Sequence, residues 1–84
     1  MGELFRINKM KIVIKSNDHD PAHLHVIIRA DDIEFRVFIE NLTVEYITQN
    51  QLSARDEKKV LKFIEENRIH IQEEWHETQK NQKK

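Results

Sequence analysis

Two stretches of strict alternation constrain this chain more than any other feature. In residues 23–30, Leu24, Val26 and Ile28 fall on one side, and His23, His25, Ile27 and Arg29 on the other. In residues 33–40, Ile33, Phe35, Val37 and Ile39 alternate with Glu34, Arg36, Phe38 and Glu40. A period of two, carried by β-branched and aromatic residues, is the pattern of a half-buried strand. The spacing predicts that the two strands pair antiparallel. With Asp31-Asp32 as the turn, Ile28 faces Phe35, Val26 faces Val37 and Leu24 faces Ile39, so that side is apolar throughout. The other side then pairs Arg29 with Glu34, Ile27 with Arg36, His25 with Phe38 and His23 with Glu40. A slip of one residue would turn every side chain over and destroy both patterns. Asp-Asp is a weaker turn than Asn-Gly, so a longer loop in the same register is the alternative.

The flanking segments extend this sheet. In residues 10–15, Met10, Ile12 and Ile14 alternate with Lys11, Val13 and Lys15, which predicts a strand. The first eight residues, with Leu4, Phe5 and Ile7, are a short strand or an extended arm. Asn41-Leu42 reads as a second tight turn, leading into a strand over 43–48 with Val44 opposite Ile39 and Tyr46 opposite Val37. Ser53 followed three residues later by Asp56 is a capping-box-like helix start. Val60, Leu61, Ile64, Ile71 and Trp75 share a sector of about 100° on a helix. Phe63 flanks that stripe, and both Phe63 and Trp75 read as core. Ile69 does not fit it, and Arg68 falls in its middle, so Asn67 caps a second helical segment or marks a kink. The expected fold is α+β: an antiparallel sheet of about four strands with a long C-terminal helix packed on one face.

Length and composition bound the rest. Eighty-four residues predict one domain, over 1–79, with a polar disordered tail at 80–84. A chain of this size buries roughly 60–65% of its unfolded surface, enough for one thin core. There is no cysteine, hence no disulfide framework and no thiolate metal site, which favours a cytoplasmic home. No signal-peptide pattern and no membrane-spanning apolar run is present. The net charge of −1 gives no global basic field, so any contact with RNA would rest on a local patch.

Between the strands lies Asn17-Asp18-His19-Asp20-Pro21-Ala22-His23-Leu24-His25-Val26. This segment resembles the signature N-D-H-x-P-P-H-x-H-V of a bacterial family known as domain of unknown function 4160. The close of the chain, from Glu65-Glu66-Asn67-Arg68 to Glu74-Trp75, is similar to that family's helical end. The resemblance spans about Leu4 to Trp75 and departs from the pattern at Ala22, where a second proline is common. It carries over Asn17, Asp18, His19, Pro21, His23 and His25 as motif residues. What it implies is a small bacterial protein of unassigned activity. Members often stand beside another small domain in an arrangement like a toxin–antitoxin pair, which implies a protein partner encoded by a neighbouring gene.

The histidines admit three readings. His23 and His25 share a strand face about 6–7 Å apart at Cα, and His19 can fold back from the loop. With Glu40 opposite His23, these make a candidate set for a divalent transition metal such as zinc. Without metal, His19, His23 and His25 are candidate catalytic acid–base groups, with Arg36 stabilising a developing phosphate charge and Phe38 a platform for a base, a constellation suited to RNA hydrolysis. Lys11 and Lys15 could assist if the first strong strand borders this face. In the structural reading Asn17 and Asp18 cap the turn, and His19 and His23 hydrogen-bond Asp20 and Glu40. A fourth use of the same face is binding: Ile27 and Phe38, side by side, give it an apolar centre ringed by charge. Asn17 and Asp18 join Ile27 and Phe38 as candidate binding residues. The favoured function is a protein-binding component of a two-gene module, with a small hydrolase or nuclease as the alternative. Because both point away from the apolar side, replacing His23 and His25 by Ala is expected to leave the fold intact.

Overall fold

The computed structural model describes residues 2–14 and 22–82, with side chains described for 4–14 and 22–78. The alternating stretches become β3 (His23–Ile28) and β4 (Ile33–Phe38), paired antiparallel. Facing follows the alternation, since Leu24, Val26, Phe35 and Val37 are fully buried. The register differs from the expected one by two residues: His23 pairs with Phe38, Leu24 with Val37, His25 with Arg36, Val26 with Phe35 and Ile27 with Glu34. The turn is the cause. Arg29–Asp31 form a single 3-10 turn and Asp32 takes the left-handed region at φ 55°, its N–H donating to the Arg29 carbonyl at 3.1 Å. A two-residue hairpin of type I′ needs positive φ twice, which Asp-Asp supports poorly. This longer connection needs it once, and Asp tolerates that region better than most residues. A shift of two leaves every side chain on its face.

The next turn repeats the correction. β5 (Thr43–Tyr46) sets Val44 opposite Val37 and Tyr46 opposite Phe35, again two residues from expectation. Residues 39–42 make the connection, with Leu42 at φ 58° and its N–H on the Phe38 carbonyl at 2.7 Å. Ile39, just past β4, still donates its N–H to the Ala22 carbonyl at 3.1 Å and is buried as expected.

On the other side, β2 (Met10–Ile14) pairs with β3, and the first residues form a true strand, β1 (Gly2–Ile7). A bulge at Leu4 shifts the β1 register and sets Phe5 opposite Ile12. The sheet therefore has five strands in the order β1-β2-β3-β4-β5, all antiparallel.

The helical region is two helices rather than one. α1 (Ala54–Glu66) starts at Ser53, whose hydroxyl accepts the Asp56 N–H at 3.2 Å, the cap the sequence predicts. α1 stops at Asn67, which sits at φ −111°, ψ 18° and donates its side-chain amide to the Phe63 carbonyl at 2.8 Å. α2 (Arg68–Gln82) follows at once and runs past Lys80, where the sequence predicts the tail to begin. The break resolves the conflict in the apolar stripe, since Val60, Ile64, Ile71 and Trp75 are all buried while Ile69 stays exposed. These four join Ile12, Leu24, Val26, Phe35 and Val37 in one cluster. Burial of each such side chain contributes about 1.5–3 kcal/mol.

Tyr46 ties the layers together. Its hydroxyl donates to Glu57 on α1 at 2.8 Å and accepts the Leu52 N–H at 3.3 Å. Burial, with the hydrogen bond to Glu57, pushes its pKa up to about 12. The result is a two-layer α+β fold, sheet below and helices above.

Candidate functional site

The face of the sheet opposite the core cluster carries His23, His25, Ile27, Arg36 and Phe38, and the registers order them in rows. One row runs Lys11, Ile27, Glu34 across β2, β3 and β4; the next runs Val13, His25, Arg36, Glu45; the last runs His23, Phe38, Thr43. Cross-strand neighbours in such rows lie close enough for their side chains to interact.

One ion pair lies within a row, and one contact crosses between rows. Arg36 donates Nη2 to Glu45 Oε1 at 2.8 Å, so its charge is answered on β5. His25 Nδ1 lies 3.4 Å from Glu34 Oε2, a diagonal contact that becomes an ion pair when the imidazole is protonated. The His23 and His25 rings are 5.2 Å apart between centroids. His23 also sits 5.5 Å from Phe38 and 5.6 Å from Trp75. Both imidazoles are buried, His23 7% and His25 5% exposed.

Several expectations are corrected by these distances. Glu40 is not opposite His23; it lies beyond β4 and is exposed. Phe38 faces His23 rather than His25, and Arg36 faces His25 rather than Ile27. Ile27 and Phe38 are therefore not side by side, because the His25–Arg36 row separates them. Arg29 leaves the strand for the 3-10 turn and is not paired across to Glu34 in the ladder. The two histidines do not stand on an open surface: Trp75, a core residue of α2, reaches His23 at the end of β3.

Asn17, Asp18, His19, Asp20 and Pro21 lie outside the described residues, as does Lys15. Among the described residues, no group of three or more His, Asp or Glu is placed to hold a metal ion. The structure does bring together His23, His25, Arg36 and Phe38, all named from sequence. It adds Val13, Glu34, Glu45 and Trp75, which sequence reasoning did not assign to the site. Val13 alternates onto this face between Lys11 and Lys15, so its side was legible. The Trp75 contact had no sequence signal, since it joins positions 52 apart.

Chemically, the arrangement is a packed imidazole pair, with Phe38 and Trp75 against His23 and the Arg36–Glu45 ion pair beside His25. The class it defines is a small α+β domain with a five-stranded meander, two helices on one face and a histidine-bearing face on the other. Residues 10–76 match the family described as a domain of unknown function (DUF4160), and the chain belongs to that family. No curated protein and no solved structure matches it. No helix among the described residues is long and apolar enough to cross a membrane.

Proposed function

We propose that this chain is a protein-binding module, the binding member of a two-gene, toxin–antitoxin-like pair, and that its partner docks on the histidine-bearing sheet face. One observation carries the reading. On this face Arg36 is paired with Glu45, and Glu34 stands 3.4 Å from His25 Nδ1, while Val13, Ile27 and Phe38 are only half-buried. A partner can cover the Arg36–Glu45 pair without leaving that guanidinium a lone charge in a dry interface, which is the costly outcome in association. Half-buried apolar side chains around that pair supply the area such an interface needs. The partner is the product of the adjacent gene, as the family's gene arrangement implies.

A hydrolase or nuclease using His19, His23 and His25, with or without a bound metal such as zinc, is the competing reading. The 5.2 Å separation of the two imidazoles favours it. Their burial and the Glu45 bond on Arg36 weigh against it, because a substrate has to reach the acid, the base and the cation.

Co-purification separates the two. The tagged chain, expressed with the untagged product of the adjacent gene, should retain it, and Ile27→Asp should lose it while keeping a native circular dichroism spectrum. Retention by Ile27→Asp contradicts the proposed face. RNA cleavage by the purified chain that disappears in His25→Ala would establish the enzyme instead.

A further inference from the structure

The sheet ends in two edge strands, β1 and β5. An edge left regular and unpaired is a template for another strand, and proteins guard against this with bulges, prolines and charge. β1 carries such a guard in the bulge at Leu4. β5 does not: its pairing with β4 runs unbroken from Thr43 to Tyr46, and it holds no proline. Its one charge, Glu45, is answered by Arg36 within the sheet.

The ladder fixes where the β5 backbone points. Ile47, just past the strand, donates its N–H to the Glu34 carbonyl at 2.9 Å. Bonded pairs in an antiparallel ladder recur at every second residue. Glu45 and Thr43 therefore turn their backbones toward β4, at Arg36 and Phe38. Val44 and Tyr46 turn theirs outward, each with one donor and one acceptor. Among the described residues, no group hydrogen-bonds to these outward backbone groups.

We propose that the partner protein adds a strand to this edge, an inference that rests on the reading of the chain as a protein-binding module. An extended segment of the partner pairs antiparallel with β5, its main chain bonded to Val44 and Tyr46, and the side chains of β5 set its sequence. Val44 and Tyr46 are half-buried against the core cluster, and Ile47 beyond them is 50% exposed. The partner residues beside them are apolar. Glu45 lies on the other side, its side chain 56% exposed and one carboxylate oxygen on Arg36 Nη2. The partner residue opposite Glu45 is Lys or Arg, since opposite charges attract across a ladder and like charges repel.

The same residues exclude a second copy as the occupant. Two β5 edges paired with Val44 opposite Tyr46 would set Glu45 against Glu45. Centring the pair on Val44 would set Tyr46 against Leu42, which has left the strand at φ 58° with its N–H spent on the Phe38 carbonyl. Centring it on Tyr46 would set Val44 against Thr48, whose N–H is turned to the Glu34 carbonyl at 3.4 Å.

Calorimetric titration of the full chain with the product of the adjacent gene tests the edge. Val44→Pro deletes one outward N–H that the fold does not use, and proline is tolerated at such positions. Val44→Ala trims the same side chain and keeps the N–H. Val44→Pro should bind roughly tenfold more weakly than Val44→Ala, both with native circular dichroism. In the unaltered chain, the Val44 and Tyr46 amides should exchange freely alone and slow roughly tenfold or more with the partner bound. This second measurement decides the matter if Val44→Pro fails to fold. Equal binding by the two variants, or no slowing at these amides, overturns the proposed edge. If Ile27→Asp still abolishes binding in that case, the docking face stands and the edge alone falls. A wild-type chain that binds no partner removes the binding-module reading and this inference with it. Self-association of the chain that Val44→Pro abolishes would assign the edge to a second copy and overturn the proposal.

Discussion

His23 shows how one contact changes the meaning of a residue. By alternation it belongs to the polar face, yet its ring rests against Phe38, His25 and Trp75 and is buried. Truncating it opens a void beside the indole. We expect His23→Ala to cost about 1–3 kcal/mol in urea unfolding, with a changed Trp75 emission. The sequence alone predicts no such loss, because it places His23 on an open surface. Unfolding unchanged by His23→Ala would show that its burial contributes nothing. Tyr46 makes a second residue-scale prediction. Its phenol is held neutral in the folded chain, with a pKa raised from 10.0 to about 12. Between these values the unfolded chain has released the proton and the folded chain has not, so stability falls as pH rises through the window. The contribution is complete below the lower value and lost above the upper. Tyr46→Phe should lack this slope, and at neutral pH should cost about 0.5–1.5 kcal/mol through the lost hydrogen bonds. A slope identical in both proteins would assign the alkaline loss to other groups.

At the scale of elements, turn chemistry decided what periodicity could not. Which side each of Leu24, Val26, Phe35 and Val37 faces was legible, because facing repeats every two residues. Which residue each one meets was not, because two registers two residues apart present the same faces. The choice fell to Asp32 and Leu42, each with positive φ. Asp32 is accordingly a lever on the β3–β4 pairing. Asp32→Gly should fold at least as stably as the wild type, whereas Asp32→Val should lose about 1–2 kcal/mol or more, since a β-branched residue resists the left-handed region. Equal stability for the two variants in chemical denaturation would mean that the turn does not hold the register. The helical break was only half legible: Arg68 in the middle of the stripe and Ile69 outside it pointed to a cap or a kink at Asn67, yet the expected fold kept one long helix where the chain forms two. The β1 strand was left open in the sequence because the bulge at Leu4 interrupts its alternation.

At the scale of the whole molecule, the meander divides the chain into two surfaces with different work. One is closed by Val60, Ile64, Ile71 and Trp75. The other carries the rows from Lys11 to Thr43, and no sequence pattern could reveal that Arg36 meets Glu45 there or that His25 lies beside Glu34, because both contacts arise only through strand pairing. The histidine motif drew attention to the face on which His23 and His25 lie. It did not disclose that the two described imidazoles pack as a buried pair. The measurement that bears most directly on the proposed role is amide hydrogen exchange of the chain, alone and with the product of the adjacent gene. Added protection should concentrate in β3 and β4, around His25, Ile27, Arg36 and Phe38, and spare α1. Protection confined to the helices, or no change at any amide, would contradict a docking role for the sheet face.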